Sequence, residues 1–203
     1  QSPQGGGKGS VMRPFEQMFG IHFFQCSNQK HITGQYNHHL KNVLMLFADE
    51  GFFAGSKQDE GVLKALITEP SIVVEPKGKD VFNVKNHVNL VMASNEDWVI
   101  PAGLGERRFF MLDFDVKYPA GDPFWTALHK QMGNGGAEAL FYDLLHTDLS
   151  ADTLKREGID LRKAPKTDAL MAQIERGLDP FQAWWLDMLY DGETFTTFSA
   201  PFI

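Results

Sequence analysis

The chain has 203 residues, of which 43% are hydrophobic and 22% charged, and its formal net charge is −7. This composition is typical of a globular protein, and the acidic balance argues against a protein that coats nucleic acid with its whole surface. The single cysteine, Cys26, excludes an internal disulfide and gives no zinc motif. The sequence lacks both the roughly 20-residue apolar run of a membrane helix and a secretion signal, so we expect a cytoplasmic protein with no membrane partner.

The first ten residues, QSPQGGGKGS, combine glycines with one lysine and a serine. A phosphate-binding loop uses glycines to bring main-chain N–H groups to the phosphates, a lysine to reach the outer phosphates, and a hydroxyl to help hold magnesium. The residues that could form it are Gly5, Gly6, Gly7, Lys8, Gly9 and Ser10. Ser2 stands where the loop pattern has its first glycine, and no strand precedes the loop, so we expect a segment of a longer polypeptide. On these ten residues alone, a flexible glycine-rich tail is an equally good interpretation.

Strands and helices alternate after this loop, up to about residue 117. Apolar residues at helical spacing predict helices over 10–20, ending at Gly20, and over 58–68. A polar helix or turn is expected over 31–42. Strands are predicted over 21–27, 42–50, 87–95 and 107–115, and the turn residues around Gly78 predict a β-hairpin over 71–84. The continuous apolar run over 42–50 is typical of a buried parallel strand.

Only helices are predicted beyond residue 117, over 122–132, 136–147, 167–177 and 180–192. This order predicts an α/β core over 1–117 and a smaller helical region over 118–203. In the last helix, Phe181, Trp184, Trp185 and Leu189 are interpreted as core packing rather than as a platform for stacked bases.

Polar residues close two of the predicted strands. Asp49 and Glu50 end the strand over 42–50, and Asn95 ends the strand over 87–95. In open α/β sheets, ligands bind at this carboxyl edge. One acid there can hold magnesium, the next can polarise an attacking water, and an amide can position that water near the γ-phosphate. Acids and asparagines also begin ordinary loops, so that alternative remains open.

Basic residues stand at two other places. Arg107 and Arg108 precede the strand predicted over 107–115, and an arginine can stabilise the charge that develops on a phosphoryl group. Lys77 and Lys79 flank Gly78 at the hairpin turn, where they could contact the phosphates of a nucleic-acid strand. A surface arginine pair and a solvated turn are the plain alternatives.

Taken in this order, the motifs resemble the superfamily 3 helicases, a branch of the AAA+ ATPases, and look closest to the C-terminal ATPase of phage and plasmid primase-helicases and primase-polymerases. The matching segments are GGGKGS (5–10), LMLFADE (44–50), the stretch 62–95 and GERRFFMLDFD (105–115). The resemblance implies an α/β P-loop NTPase fold of AAA+ type. Such a fold has a mostly parallel sheet with a β-hairpin insertion, followed by a smaller C-terminal helical region.

The function that the resemblance implies is an ATP-dependent DNA helicase or translocase of phage or plasmid replication, in the bacterial host cytoplasm. Lys8 and Ser10 would bind the phosphates of ATP and Mg²⁺, and Asp49 would also hold the metal. Glu50 would be the general base. Asn95 would be the polar sensor of the γ-phosphate.

The same resemblance implies a homo-oligomer, a hexameric ring, that acts on single-stranded DNA, with a primase or polymerase domain in the same polypeptide. Arg108 would be the finger that reaches a neighbour's ATP, and Arg107 is the less favoured candidate. Lys77 and Lys79 would form the pore hairpin that contacts DNA. Lys64 would contribute to the same channel or only to its helix.

Two other classes remain as alternatives. A P-loop nucleotide kinase would also use the GKGS sequence, but the region after residue 117 lacks the arginine-rich lid that a kinase needs. A nucleotide-binding assembly or loader module without motor activity would keep Lys8 and tolerate the loss of Glu50 or Lys77. Because the chain retains all three, the sequence favours a motor.

Overall fold

The computed structural model describes residues 7–50, 57–161 and 163–192. The strands are β1 (Phe23–Cys26), β2 (Met45–Asp49), β3 (Ser71–Val74), β4 (Phe82–Lys85) and β5 (Asn89–Ala93). The helices are α1 (Lys8–Phe19), α2 (Lys30–Thr33), α3 (Lys57–Thr68), α4 (Pro123–Gln131), α5 (Ala137–His146), α6 (Ala151–Arg156), α7 (Asp168–Arg176) and α8 (Pro180–Tyr190). Strands β1, β2 and β5 form a parallel sheet in the order β1-β2-β5, and β3 pairs with β4 in an antiparallel hairpin.

The central strand of the parallel sheet, β2, is the most deeply buried. Leu46, Phe47 and Ala48 expose 1% of their surface or less. A strand covered on both faces needs apolar residues at every position, which is the pattern that predicted it. The prediction is confirmed, and the strand ends at Asp49.

Helix α1 packs beside β1 and β2 and begins at the edge where these strands end. Its buried side chains are Met12 and Pro14. It ends at Phe19, as the sequence predicts, because Gly20 adopts a φ of 52° that a glycine accepts without strain.

The hairpin over 71–84 is confirmed. Gly78 has a φ of 71° at its turn, and Val74 is completely buried at the end of β3. The side chain of Asn37 attaches the hairpin to the core: Nδ2 donates to the carbonyl of Val73 at 2.8 Å, and Oδ1 accepts from the N–H of Glu75 at 2.8 Å. These bonds fix the end of β3 that leads into the turn, and they leave the turn residues around Gly78 in solvent.

The strand predicted over 107–115 is wrong. Burial alternates as in a strand, since Phe109 is 8% exposed and Phe110 is 57% exposed, but no ladder forms in this segment. The segment forms one side of an apolar groove of about 560 Å³, and β5 forms the other side. Its main chain bonds elsewhere instead, because the carbonyls of Arg107 and Met111 accept from the Ala164 N–H and the Thr167 hydroxyl.

Every regular element that the structure describes between residues 122 and 192 is a helix, as predicted. Helix α7 packs against the same hydrophobic core as the parallel sheet, through Leu170 and Ile174. The side chain of Gln173 is fully buried beside them, where Oε1 accepts from the N–H of Val99 at 2.7 Å and Nε2 donates to the carbonyl of Asp97 at 2.6 Å. The helical region is therefore in firm contact with the α/β part, and the division at residues 117 and 118 stays a prediction.

The core packing expected for the last helix is wrong. In α8, Phe181 is 69% exposed, Leu189 is 61% exposed, and Trp184 and Trp185 are 40% and 38% exposed. The helix carries apolar residues around much of its circumference, so only part of that surface can face the body of the protein. Among the described residues, no helix is long and apolar enough to span a bilayer.

Candidate functional site

A cavity of about 540 Å³ lies at the carboxyl edge of the parallel sheet. Four segments that are far apart in the sequence line it: helix α1 with Gly7 before it, strand β1, the end of β2, and the end of β5 with the residues after it. The residues that sequence reasoning proposed and that lie in this cavity are Gly7, Lys8, Gly9, Ser10, Asp49, Glu50 and Asn95. Gly5 and Gly6 lie outside the described residues. The structure thus brings the predicted loop, acid pair and amide together, while their chemical roles stay predictions.

The first turn of α1 faces this cavity with main-chain N–H groups. Gly7 precedes the helix with a φ of 79°, and no side chain caps the helix N-terminus. Uncapped N–H groups and the positive end of the helix dipole favour an anion. Ser10 stands in the same turn and also lines the cavity.

Lys8 reaches across the cavity to the end of β5. Its Nζ donates to the carbonyl of Ser94 at 3.0 Å and to Oδ1 of Asn95. Partial burial lowers the pKa of Lys8, while the nearby carboxylates of Asp49 and Glu50 act to raise it. A lysine in this setting is a cation that has lost part of its hydration and can bind an anion with less desolvation cost.

The two acids after β2 differ in their surroundings. Asp49 accepts a hydrogen bond at Oδ2 from Nε2 of Gln25, at 3.1 Å. Glu50 has a φ of 60°, an unusual left-handed conformation for a residue with a side chain. Such backbone strain is concentrated at functional sites.

Sequence reasoning missed Gln25, which lines the cavity from β1. A polar side chain inside the apolar run FFQC was the available signal. Its meaning depends on strand order, because Gln25 approaches Asp49 only when β1 lies directly beside β2 in parallel register.

The predicted arginines lie away from this cavity. Arg107 is exposed, while Arg108 lines the groove beside β5. The carboxylate of Glu106 is 2% exposed and organises both residues: Oε1 accepts from the N–H groups of Arg107 and Arg108 at 2.8 and 2.7 Å and lies 3.6 Å from Nη1 of Arg108. The Nε of Arg108 is buried without a hydrogen-bond partner among the described residues.

The predicted DNA-contacting lysines are also outside the cavity. Lys77 and Lys79 are exposed on either side of Gly78 at the turn of the hairpin. Lys64 differs from them, since its Nζ forms an ion pair with Glu60 one turn earlier in α3. Its charge is thus partly neutralised within its own helix.

The fold and the cavity define a mixed α/β protein with a parallel sheet and polar residues gathered at the strand ends. The chain belongs to DUF5906, a family of unknown function, whose sequence model matches residues 1–108.

The chain is also similar to the DNA primase-polymerase of Nitratiruptor phage NrS-1, with 24% identity over an alignment of 198 residues; the match covers 93% of this chain and 27% of that protein. The apo structure of the NrS-1 C terminal region (305-718) matches with a TM-score of 0.69 and 18% identity, over 94% of this chain and 48% of that chain. The A form apo structure of the same region matches with a TM-score of 0.67 and 17% identity, over 98% and 49%. These likenesses establish the fold, and the chain spans about half the length of the solved region.

Proposed function

We propose that this chain is the ATP-dependent motor of a phage DNA replication protein, which moves along single-stranded DNA. The main support for the proposal is that one cavity is lined by Lys8, Asp49, Glu50 and Asn95 together with the uncapped start of α1. These groups supply an anion-binding helix N-terminus, a cation, two acids and an amide, which are the parts that phosphoryl transfer from ATP requires. Similarity to a phage DNA primase-polymerase supports the biological setting.

A magnesium ion fits this set of donors. Magnesium is typically held by one or two carboxylates together with substrate phosphates. In the described part of the chain, no cluster of three or more acidic, histidine or cysteine side chains could hold a metal by itself. Asp49 and the Ser10 hydroxyl line the same cavity, so they would hold Mg²⁺ jointly with ATP. When bound, the ion supplies neutralisation of the phosphate charge.

The protein's own groups then have separate tasks. Lys8 binds the outer phosphates, for which it exchanges its bond with Asn95. Glu50 accepts a proton from water as the water oxygen attacks the γ-phosphorus and ADP leaves with the bridging oxygen. Asn95 orients that water. Asp49 is kept in place by the hydrogen bond from Gln25.

Arg108 completes the site of an adjacent subunit in this proposal. It lies outside its own chain's cavity, its side chain is 29% exposed, and its Nε has no partner among the described residues. A residue that serves a neighbour's ATP needs such a position near the surface. The proposal therefore includes a ring in which each ATP lies between two subunits.

The hairpin turn is the proposed DNA contact. Lys77 and Lys79 present two positive charges on a narrow projection of an acidic protein. A small basic element of this kind can bind phosphates without attracting nucleic acid to the rest of the surface. Hydrolysis would move the hairpin along the strand.

Single-stranded-DNA-stimulated ATP hydrolysis tests the proposal. We expect Glu50→Gln to abolish hydrolysis while nucleotide still binds. We expect the double change Lys77→Ala and Lys79→Ala to remove the stimulation by DNA and leave DNA-independent hydrolysis in place. The matched control is Lys85→Ala with Lys166→Ala, which removes two exposed lysines away from the hairpin turn.

Two results would oppose the motor. Hydrolysis that ignores DNA and survives the hairpin changes would exclude a translocase. Nucleotide binding without hydrolysis would favour an assembly module.

A further inference from the structure

Trp125 of α4, in the helical region, lies against Gly7 of the predicted phosphate loop. A Cβ atom added at Gly7 would lie 2.5 Å from Cζ2 and 2.6 Å from Cζ3 of this indole, and closer still to Cη2. Cβ atoms in proteins do not approach other heavy atoms so closely. The indole therefore occupies the space beside Gly7 that any other residue would need for its side chain.

The indole is itself fixed in place. Its Nε1 donates to the carbonyls of Tyr118 and Pro119, at 3.2 and 3.1 Å. The neighbouring ring of Phe124 packs edge-on against it, with ring centroids 5.2 Å apart. Because two hydrogen bonds and a ring contact hold the indole, Trp125 meets the loop as a rigid surface.

A second contact joins the same two helices one turn further on. Nη1 of Arg13 in α1 lies 3.4 Å from Nδ1 of His129 in α4. Trp125 and His129 are four residues apart, so they lie on the same face of α4. This face is therefore turned toward α1, while α5 makes the more extensive contact between the helical region and α1.

Gly7 needs such support. Gly7 has a φ of 79°, and a glycine in a loop can adopt many other conformations as well. Fixing it in one of them therefore costs conformational entropy. The conformation directs the N–H groups of the first turn of α1 into the cavity, where the phosphates are proposed to bind. A rigid ring against the Gly7 main chain removes the alternatives before nucleotide arrives.

We propose that Trp125 is a positioning residue for the phosphate loop, so that the placement of the helical region controls the affinity for the nucleotide. The expected effect of Trp125 on nucleotide affinity rests on the proposed function, whereas its expected effect on the conformation of the loop does not. The contact comes from the far carbons of the six-membered ring, which a phenylalanine at the same position lacks the length to reproduce. Trp125→Phe keeps the α4 packing and removes the contact.

The first measurement is hydrogen exchange without nucleotide. We expect Trp125→Phe to increase amide exchange in a peptide covering residues 7–11 by about tenfold, because the fixed conformation competes with open ones. The control is Trp184→Phe, which changes an exposed tryptophan of α8 and should leave that peptide unchanged. Unchanged exchange in Trp125→Phe would overturn the inference whether or not the protein binds ATP.

The second measurement is the split between KM and kcat for ATP. We expect Trp125→Phe to raise KM about fivefold to tenfold with a smaller change in kcat, since the contact prepares binding and touches no reacting atom. An equal fall in kcat with an unchanged KM would contradict a positioning role. If the unaltered protein binds no nucleotide, the proposed function fails, and the exchange experiment still decides the role of Trp125.

A double-mutant cycle excludes a general loss of folding. Gly7→Ala combines a clash with Trp125 and an unfavourable φ, so we expect a large loss of nucleotide affinity. In a Trp125→Ala background the clash disappears, and the further loss caused by Gly7→Ala should be smaller. Strictly additive losses would mean that the indole does not act on Gly7.

Discussion

Lys8 donates a hydrogen bond through Nζ to Oδ1 of Asn95, a residue 87 positions later in the chain. The bond crosses the cavity between the start of α1 and the end of β5, and a second bond to the carbonyl of Ser94 holds the ammonium in the same place. An outer phosphate of ATP would compete with Asn95 for this cation. In the proposed function, the strength of the Lys8–Asn95 bond would therefore set part of the affinity for the nucleotide.

Two substitutions of Asn95 should separate binding from catalysis. Asn95→Asp places a carboxylate against Lys8, and a charge-assisted bond is stronger than a neutral one by about 1 kcal/mol, so we expect KM for ATP to rise about fivefold. Asn95→Ala removes this acceptor from Lys8 and also removes the group that is proposed to orient water, so we expect kcat to fall and KM to decrease slightly. Steady-state hydrolysis rates of both variants provide the test. Equal effects of the two changes on KM would contradict competition for Lys8.

Gln25 should control the metal requirement through Asp49. Removing a hydrogen bond that orients a metal-ligating carboxylate typically costs about 10–100-fold in metal affinity. We expect Gln25→Ala to raise the Mg²⁺ concentration needed for half-maximal hydrolysis by about tenfold. The matched control is Gln29→Ala, because Gln29 donates to Asp59 at 2.7 Å away from the cavity. An unchanged Mg²⁺ dependence in Gln25→Ala would show that Asp49 needs no such support.

Much of the scaffold follows from local sequence patterns. The unbroken apolar run over 42–50 predicts β2 because only a strand buried on both faces needs it. Gly20 and Gly78 mark the end of α1 and the hairpin turn because each adopts a positive φ. The gathering of Asp49 and Asn95 at one edge follows from parallel strands, whose carboxyl ends lie together.

The rest depends on contacts between distant segments. Gln25 reaches Asp49 only through the order of β1 and β2, and Trp125 reaches Gly7 through the packing of the helical region on α1. The segment 107–115 has the alternation of a strand but no ladder partner among the described residues, and periodicity cannot report a partner. The exposure of Trp185 likewise depends on which other segments pack against α8, and the sequence of α8 alone does not specify them.

Glu106 should matter for stability as well as for the position of Arg108. Glu106→Ala leaves the partly buried N–H groups of Arg107 and Arg108 without their acceptor, at a cost of about 1 kcal/mol each, the lower end of the range for a buried group. Glu106→Gln keeps an acceptor oxygen and loses only the ion pair, so its effect on the free energy of unfolding should be smaller. Urea denaturation followed by circular dichroism measures both. The control is Glu96→Ala at an exposed position, which should change stability by less than about 0.5 kcal/mol. Equal losses in the Ala and Gln variants would contradict this account.

Asp148, which precedes α6, should contribute stability that depends on pH. Its pKa is lowered from the ordinary value of 3.8, first by the hydrogen bond from the Thr153 hydroxyl and then by bonds from Ser150. A depressed pKa in the folded state means that the contribution is present above pH 3.8 and is lost as the pH falls through the lower, folded value. We expect Thr153→Val to raise the pKa of Asp148 toward its ordinary value, as measured by an NMR titration of the carboxyl carbon. The matched control is Thr147→Val, because that hydroxyl donates to the main-chain carbonyl of Asp143 and to no carboxylate. A pKa that moves equally in both variants would mean that the bond from Thr153 is not its cause.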